Sequence, residues 1–194
     1  YSETNHSKLA LLGGMKHITA AKSGIFPGEA RIIADTDQVE CSVDFTPKQN
    51  EEYFIHKFVV FGTERDMPRK QLKPQLAVIL DTSAQQGFES LRQEHEKHWQ
   101  AYWQDSDVEI IGNPLLQQGF RFNALHLLQS AGQDGKTNVA AKGLSGEYYE
   151  GHYFWDTETY IIPFFLYSQP QTVRQLLLYR YSILDHAREN AARM

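Results

Sequence analysis

The stretch SAQQGFESLRQEHEKHWQAYW, residues 83–103, decides the fold class, because the spacing of the apolar residues changes there. Apolar and aromatic side chains recur every three or four residues among Glu, Gln, Lys and Arg, at Phe88, Leu91, His95, Trp99 and Tyr102 or Trp103. This spacing predicts an amphipathic helix. Asp81, Thr82 and Ser83 are each suitable as its N-cap. We expect this helix to link two domains.

Short β-prone runs separated by turn residues precede the helix, at residues 30–34, 39–45 and 53–61. These runs predict antiparallel strands. Residues 10–15 show neither a capping residue nor another signal for the start of a secondary-structure element. Both faces of the third run are largely apolar, with Phe54, Phe58 and Val60 on one and Tyr53, Ile55, Val59 and Phe61 on the other. A strand with two apolar faces is typical of the inside of a sandwich.

Helix signals dominate after the linker. Asn113-Pro114 is typical of a helix start, with Gly132 as its end, and Gln169-Pro170 opens a final helix. The residues expected to face inward on the final helix are Val173, Leu176, Leu177, Tyr181 and Leu184. Strands followed by helices indicate an α+β chain or two domains. Because no Gly or Pro stops the last helix, we expect the chain to be truncated.

Charge and cysteine content exclude several functions. The net charge is −5 and the 19 Lys and Arg residues are dispersed, so neither nucleic acid nor a membrane is an expected partner. Cys41 is the single cysteine and no leader peptide is evident, which predicts a cytoplasmic protein. The longest apolar-leaning run, residues 160–167, has 8 residues, whereas a membrane-spanning helix needs about 20.

Two partial motifs resemble ligand-binding motifs but lack required residues or spacing. Gly135-Lys136-Thr137 resembles the end of a phosphate-binding loop, but Ser130 occupies the position of the required first glycine and no helix is predicted after Thr137. His95 and His98 are three residues apart rather than the four of a zinc protease helix. We therefore expect neither a nucleotide site nor a metal site.

The chemically informative stretch is GLSGEYYEGHYFWDTE, residues 143–158, which contains five aromatic residues, four carboxylates and one histidine. Sugar sites use aromatic rings against the C–H face of a pyranose and carboxylates or His against its hydroxyls. Trp155 and Asp156 are the pair that we expect to contact a hexose. The further candidates for substrate binding are His152, Phe154 and Glu158.

A structural interpretation of the same residues is equally compatible with the pattern. In that interpretation Phe154 and Trp155 belong to the core, and His152 is a hydrogen-bonded interior group. Asp156 or Glu158 then caps the next helix.

Several motifs closely resemble the family sixty-five glycoside hydrolases, which include maltose, kojibiose, nigerose and trehalose phosphorylases. They are QQGFRFN (117–123), HLLQSAG (126–132), KGLSGE (142–147), EGHYFWDTE (150–158), PFFLY (163–167) and LLLYRY (176–181). The resemblance is continuous from about residue 99 to residue 188 and weaker before residue 80. Tyr148 is a departure, because the family usually has Gly there.

The resemblance implies an architecture and a site. It places residues 1–80 in part of an N-terminal β-sandwich, 81–105 in a helical linker and 106–194 in the start of an (α/α)6 catalytic barrel. The family's Trp-Asp pair holds the glucose unit whose bond is broken, and it corresponds to Trp155 and Asp156. The family's general acid is a Glu on a later segment, and its phosphate-binding residues are later still. We therefore expect no catalytic residue in this chain and no activity from the chain alone.

The activity implied is inverting phosphorolysis of an α-glucosyl disaccharide of the maltose or kojibiose type. Inorganic phosphate is the co-substrate, the products are β-glucose 1-phosphate and glucose, and neither metal nor organic cofactor is needed. The alternatives are a trehalose hydrolase of the same family and a non-catalytic sugar-binding fragment. We expect the complete enzyme to be a homodimer.

Overall fold

The computed structural model describes residues 1–24, 26–35, 38–144 and 148–193. The chain forms two compact units, residues 1–96 and residues 97–194, and each is described by itself below. Within the described residues there are two small antiparallel sheets and six α-helices. The predicted mixed α+β class is therefore confirmed at this level.

The first unit contains both sheets. The larger has the order β1-β2-β5, and the smaller is a β3-β4 hairpin. The strands are β1 (Ser2–Glu3), β2 (Ala10–Ala21), β3 (Glu29–Ala34), β4 (Val39–Asp44) and β5 (Tyr53–Thr63). The three predicted strands are confirmed to within two residues at each end.

The longest strand, β2, is missing from the sequence-based prediction. Gly13 and Gly14 lie in its first half and interrupt the alternation on which strand prediction depends. Gly13 pairs with Phe61 of β5, and a Cβ atom on Gly13 would lie 3.0 Å from the Phe61 ring. Glycine therefore allows the Phe61 ring to lie across β2 at this position.

The two apolar faces of β5 have different surroundings. On one face Phe58 is buried, and the neighbouring strand residue Gly62 lies against Leu76 of the first helix. The other face, with Val59 and Phe61, contributes to a cavity of about 710 Å³. Ile32 of the hairpin lines the same cavity. The two sheets thus turn apolar residues toward a shared space.

The helix predicted to begin at residues 81–83 begins earlier. Helix α1 spans Arg69–Gln86, directly after Pro68, so Asp81, Thr82 and Ser83 lie inside it and the predicted cap is wrong. Leu72, Leu76 and Leu80 follow a four-residue spacing toward the sheet, but Pro74 between them obscures the helical pattern. Gly87, with φ of 84°, separates α1 from α2 (Phe88–Ser106).

Helix α2 contributes to both units, because the division falls between Glu96 and Lys97. Its later residues Trp99, Tyr102 and Trp103 belong to the core region of the second unit. None of the helices in the described part of the chain is both long and apolar enough to cross a membrane.

The second unit continues with α3 and three shorter helices. Their bounds are α3 (Pro114–Ser130), α4 (Ile162–Ser168), α5 (Pro170–Ser182) and α6 (Leu184–Arg193). The predicted start of α3 is confirmed, because the Asn113 Oδ1 atom accepts a hydrogen bond of 3.1 Å from the Leu116 N–H. Asn113 therefore satisfies one of the unpaired N–H groups at this helix end.

The predicted final helix starts correctly at Pro170 but is interrupted at Ile183. Val173 and Leu176 are buried as expected, whereas Leu177, Leu184 and Tyr181 are exposed. For those three residues the prediction is wrong. The buried residues of α5 are Thr172, Val173 and Leu176, and this helix is in contact with α4.

The core of the second unit supports the segment of greatest chemical interest. Its buried residues are Tyr102, Leu128, Ala131, Val139, Phe165, Val173 and Leu176. The Tyr102 hydroxyl donates a hydrogen bond of 3.0 Å to the Ala124 carbonyl, and burial raises the pKa of Tyr102 above its usual value. Ile161 and Ile162, which follow the informative stretch by a few residues, pack against this core.

Candidate functional site

The Trp155–Asp156 pair lies where a segment without regular secondary structure enters a helix. Asp156 has helical backbone angles (φ −55°, ψ −32°), and a turn of π-helix follows from Thr157 to Ile161. The Ile162 N–H donates to the Thr157 carbonyl, and Thr157 itself is 2% exposed. Turns of π-helix occur frequently at functional sites. Here the π-turn begins at the buried Thr157, which directly follows the Trp155–Asp156 pair and anchors it.

The pair opens onto a cleft of about 500 Å³. Trp155 and Asp156 line it together with Phe154, Tyr149, Lys142 and residues 139–141. Three of the predicted site residues are therefore brought together. Lys142 is a cleft residue that the prediction missed, although it begins the KGLSGE motif. Ser145, Gly146 and Glu147 of that motif lie outside the described residues.

The accessibility of these side chains does not match the core interpretation. Trp155 is 66% exposed and Phe154 is 41% exposed, so neither is buried against the described residues. Asp156 occupies a helix-capping position, but its side chain makes no capping hydrogen bond. Within the part of the chain that the structure describes, the Asp156 carboxylate has no hydrogen-bond or ion-pair partner. Its oxygens are available to accept hydrogen bonds from a ligand.

His152 is exposed, so it is not a buried interior group. The main chain of His152 instead forms hydrogen bonds with Ala141 and Tyr149, two residues that line the cleft. The His152 carbonyl accepts a hydrogen bond of 3.1 Å from the Ala141 N–H, and its N–H donates one of 2.7 Å to the Tyr149 carbonyl. Tyr149 and Glu150 have positive φ values of 64° and 50°. Such angles cost non-glycine residues about 1–2 kcal/mol each, and strain of this kind clusters at functional sites.

Glu158 faces α5 and does not line the cleft. Arg180 donates two hydrogen bonds to its carboxylate, from Nε to Oε1 and, at 2.9 Å, from Nη2 to Oε2. The Nη2 atom also donates to the Phe154 carbonyl at 3.1 Å. The hydrogen bond to Glu158 raises the pKa of the Arg180 guanidinium above its usual value. Arg180 is a second residue that sequence analysis missed, although it lies in the LLLYRY motif.

The Gly135-Lys136-Thr137 segment has no phosphate-loop geometry. The Asp134 carboxylate accepts hydrogen bonds from the N–H groups of Lys136 and Thr137 at 2.8 and 2.9 Å, and from the Thr137 hydroxyl at 2.8 Å. Burial raises the pKa of Asp134, but these hydrogen bonds together outweigh it and hold the pKa below its usual value. The N–H groups that would cradle a phosphate already have an internal acceptor.

A metal centre has no support in the described residues, where no group of three or more His, Cys, Asp or Glu side chains could hold an ion. The cleft presents an exposed indole, a carboxylate without a partner among the described residues and a lysine. This combination suits recognition of a polyhydroxylated ring.

Comparison with known sequences places both units in one family. Residues 1–102 match the profile described as the N-terminal domain of glycosyl hydrolase family 65, and residues 121–194 match the central catalytic domain of that family. Sequence relatives include the α,α-trehalose phosphorylase of Thermoanaerobacter brockii, which is 45% identical over 157 residues (81% of this chain and 20% of the relative). The trehalose phosphorylase of Geobacillus stearothermophilus is 57% identical over 107 residues (55% and 14%).

The kojibiose phosphorylase of Thermoanaerobacter brockii is 38% identical over 150 residues (77% of this chain and 19% of the relative). A solved structure assigned as a kojibiose phosphorylase from the human microbiome has a TM-score of 0.66 at 24% identity, covering 95% of this chain and 25% of that one. This structure shows a shared fold. The chain spans about a fifth of the length of these relatives. Because one family profile alone matches 102 of its 194 residues, the chain belongs to glycosyl hydrolase family 65.

Proposed function

We propose that the protein containing this chain is an inverting glycoside phosphorylase, which cleaves an α-glucosyl disaccharide with inorganic phosphate to give β-glucose 1-phosphate and glucose. The observation on which this proposal depends most is the cleft formed by Trp155 and Asp156, since an exposed indole adjoins a carboxylate that has no partner among the described residues. The names of its family relatives, phosphorylases of trehalose, kojibiose and maltose, support the same activity.

The proposed reaction has one displacement step. A glutamic acid protonates the glycosidic oxygen, while phosphate attacks the anomeric carbon from the opposite face of the ring. The bond to the leaving sugar breaks as the bond to phosphate forms, so an α-glucoside gives a β-phosphate. We propose that the acid and the phosphate-binding residues lie on segments that follow this chain in the complete enzyme.

The role proposed for this chain is to hold the glucose unit that is transferred. The Trp155 indole covers the C–H face of the sugar, and the Asp156 carboxylate accepts hydrogen bonds from two hydroxyls. Lys142 adds a cationic donor to the same cleft. Hydrogen bonds that strengthen as charge develops on the ring accelerate the reaction, whereas those that are equally strong throughout only improve binding.

The disaccharide and the setting of the reaction are part of the proposal. A maltose or kojibiose type of linkage follows from the resemblance. Trehalose is added because the two relatives named trehalose phosphorylase share 45% and 57% identity with this chain. Phosphate is the co-substrate, and we propose a cytoplasmic homodimer that uses neither metal nor organic cofactor.

The proposed domain organisation assigns residues 1–80 to part of a β-sandwich, 81–105 to a linker and 106–194 to the start of an (α/α)6 barrel. The cavity lined by apolar residues of both sheets supports the sandwich. Successive helices after residue 113 that leave apolar side chains exposed, including Leu115, Leu116, Leu177 and Leu178, support a barrel that further helices would complete.

Incubating the complete enzyme with each disaccharide, with and without phosphate, tests the proposal. We expect glucose 1-phosphate only when phosphate is present, with the β anomer identified by its proton coupling in NMR spectra. Release of two glucose molecules without phosphate would instead indicate the hydrolase. Sugar binding without any bond cleavage would indicate a non-catalytic protein and would contradict the proposal.

A further inference from the structure

We infer that Arg180 is a positioning residue for the sugar-binding pair, because it fastens the chain on both sides of Trp155 and Asp156. This inference rests on the proposed function and adds to it a residue of α5 outside the cleft. Arg180 contacts Tyr153 and Phe154, which precede the pair, and Glu158, which follows it.

The geometry of the guanidinium group links these three residues. One edge faces the Glu158 carboxylate, with the 2.9 Å hydrogen bond from Nη2 to Oε2 alongside the one from Nε to Oε1. The Nη2 atom also reaches the Phe154 carbonyl at 3.1 Å. The guanidinium carbon lies 4.4 Å from the centre of the Tyr153 ring. One side chain therefore restrains a segment of six residues, 153–158.

The contacts require arginine in particular. A planar guanidinium can form two parallel hydrogen bonds with a carboxylate, donate to a carbonyl and stack on an aromatic ring at the same time. A lysine ammonium keeps the charge but cannot reproduce this fork. Replacing Arg180 by Lys should therefore preserve charge while loosening the turn.

A purely stabilising ion pair is the competing explanation. The side chains of Arg180 and Glu158 are 30% and 37% exposed, and pairs of this kind frequently contribute only to stability. The two explanations differ in how a change at Arg180 combines with a change at Asp156. If Arg180 acts through Asp156, the two effects on catalysis are not independent, and a double-mutant cycle reveals this.

The test uses the complete enzyme with Arg180→Lys, Asp156→Ala and the double variant. Arg174→Lys is the matched control, because Arg174 is an exposed arginine on the same helix that does not line the sugar cleft. A misplacement of about 1 Å can cost 100-fold in rate, so we expect Arg180→Lys to lower kcat/KM about tenfold, mainly through kcat. In the Asp156→Ala background the same change should have a smaller effect, because only the positioning of Trp155 is then left to disturb.

Glu158→Gln supplies a second route to the same cycle. It removes the charge but keeps an oxygen acceptor, and it replaces Arg180→Lys in the cycle if that variant does not fold. Losses in kcat/KM that multiply fully in the double variant would overturn the inference. So would an Arg180→Lys enzyme whose melting temperature falls while its kcat/KM at a permissive temperature stays within twofold.

A readout that needs no turnover separates failure of this inference from failure of the proposed function. Acrylamide quenching of Trp155 fluorescence, obtained as the difference from Trp155→Phe, should change in Arg180→Lys and not in Arg174→Lys. If the enzyme releases no glucose 1-phosphate but this change occurs, the proposed function is wrong and the positioning role stands. An unchanged Trp155 signal would overturn the positioning role whatever the activity.

Discussion

Replacing Asp156 by Ala in the complete enzyme should abolish most catalysis while leaving stability unchanged. The carboxylate is expected to accept hydrogen bonds from two sugar hydroxyls, and hydrogen bonds to a charged group contribute about 1.5–3 kcal/mol each. Two such bonds amount to about 3–6 kcal/mol, so kcat/KM should fall by a factor on the order of 10² to 10⁴. Because the Asp156 side chain is exposed, we expect this loss of kcat/KM to come from missing contacts with the ligand and not from disturbed packing.

The melting temperature of Asp156→Ala should stay unchanged although its kcat/KM falls. The Asp156 side chain makes no capping hydrogen bond, so its removal costs none of the roughly 1 kcal/mol that a cap usually contributes. Glu158→Ala is the informative contrast, because it removes a partly exposed ion pair with Arg180. That pair should contribute up to about 1 kcal/mol, so Glu158→Ala should lower the melting temperature more and kcat/KM far less than Asp156→Ala.

The assay measures the initial rate of glucose 1-phosphate release and the melting temperature for the same preparations. The reasoning is refuted if Asp156→Ala lowers the melting temperature by several degrees but keeps kcat/KM within about threefold at a temperature where it is folded. A threefold change corresponds to less than about 0.7 kcal/mol, which is too little for two hydrogen bonds to a charged group. Asp156 would then be a helix cap.

Three further predictions concern the second unit and the chain alone. Gly132→Ala should lower the free energy of unfolding by about 1–3 kcal/mol in a denaturation assay, because its Cβ would lie 2.2 Å from the Thr137 carbonyl oxygen. The matched control is Gly119→Ala, inside α3 with open space around it. It should raise the free energy of unfolding by up to about 1 kcal/mol in the same assay. The lowered pKa of Asp134 implies stability that is present above its ordinary pKa of about 4 and lost as the pH falls below it. The deficit of Asp134→Asn in urea melts should therefore shrink as the pH is lowered from neutral into the acidic range. The 194-residue chain alone should release no glucose 1-phosphate, and robust release would contradict our placement of the general acid on a later segment.

Local sequence signals predicted the elements that depend on them. The Asn113-Pro114 start of α3 succeeded because capping and proline geometry act within a few residues. Strand β5 succeeded because it has a dense apolar pattern. Strand β2 could not be predicted from its own residues, since its extended conformation depends on pairing with β5, from Leu11 with Thr63 to Ala21 with Tyr53.

Helix α1 shows the same limit at a boundary. Its first turns contain Pro74 and many polar residues. Leu72 and Leu76 are buried only because the helix packs against the sheet, and the sequence of the helix does not show this. At the site, the sequence pointed to Trp155 and Asp156 through residue chemistry and family resemblance. Arg180 could not be found in this way, because only the fold brings α5 beside the turn that it holds.

A crystal structure of the complete enzyme with its disaccharide and phosphate would test the central claim most directly. We expect the indole of Trp155 to cover one glucose ring, both Asp156 oxygens to accept hydroxyl hydrogen bonds at about 2.5–3.0 Å, and phosphate to lie on the face of that ring opposite the general acid. A glucose unit bound elsewhere, with the cleft beside Trp155 and Asp156 containing only solvent, would contradict the account.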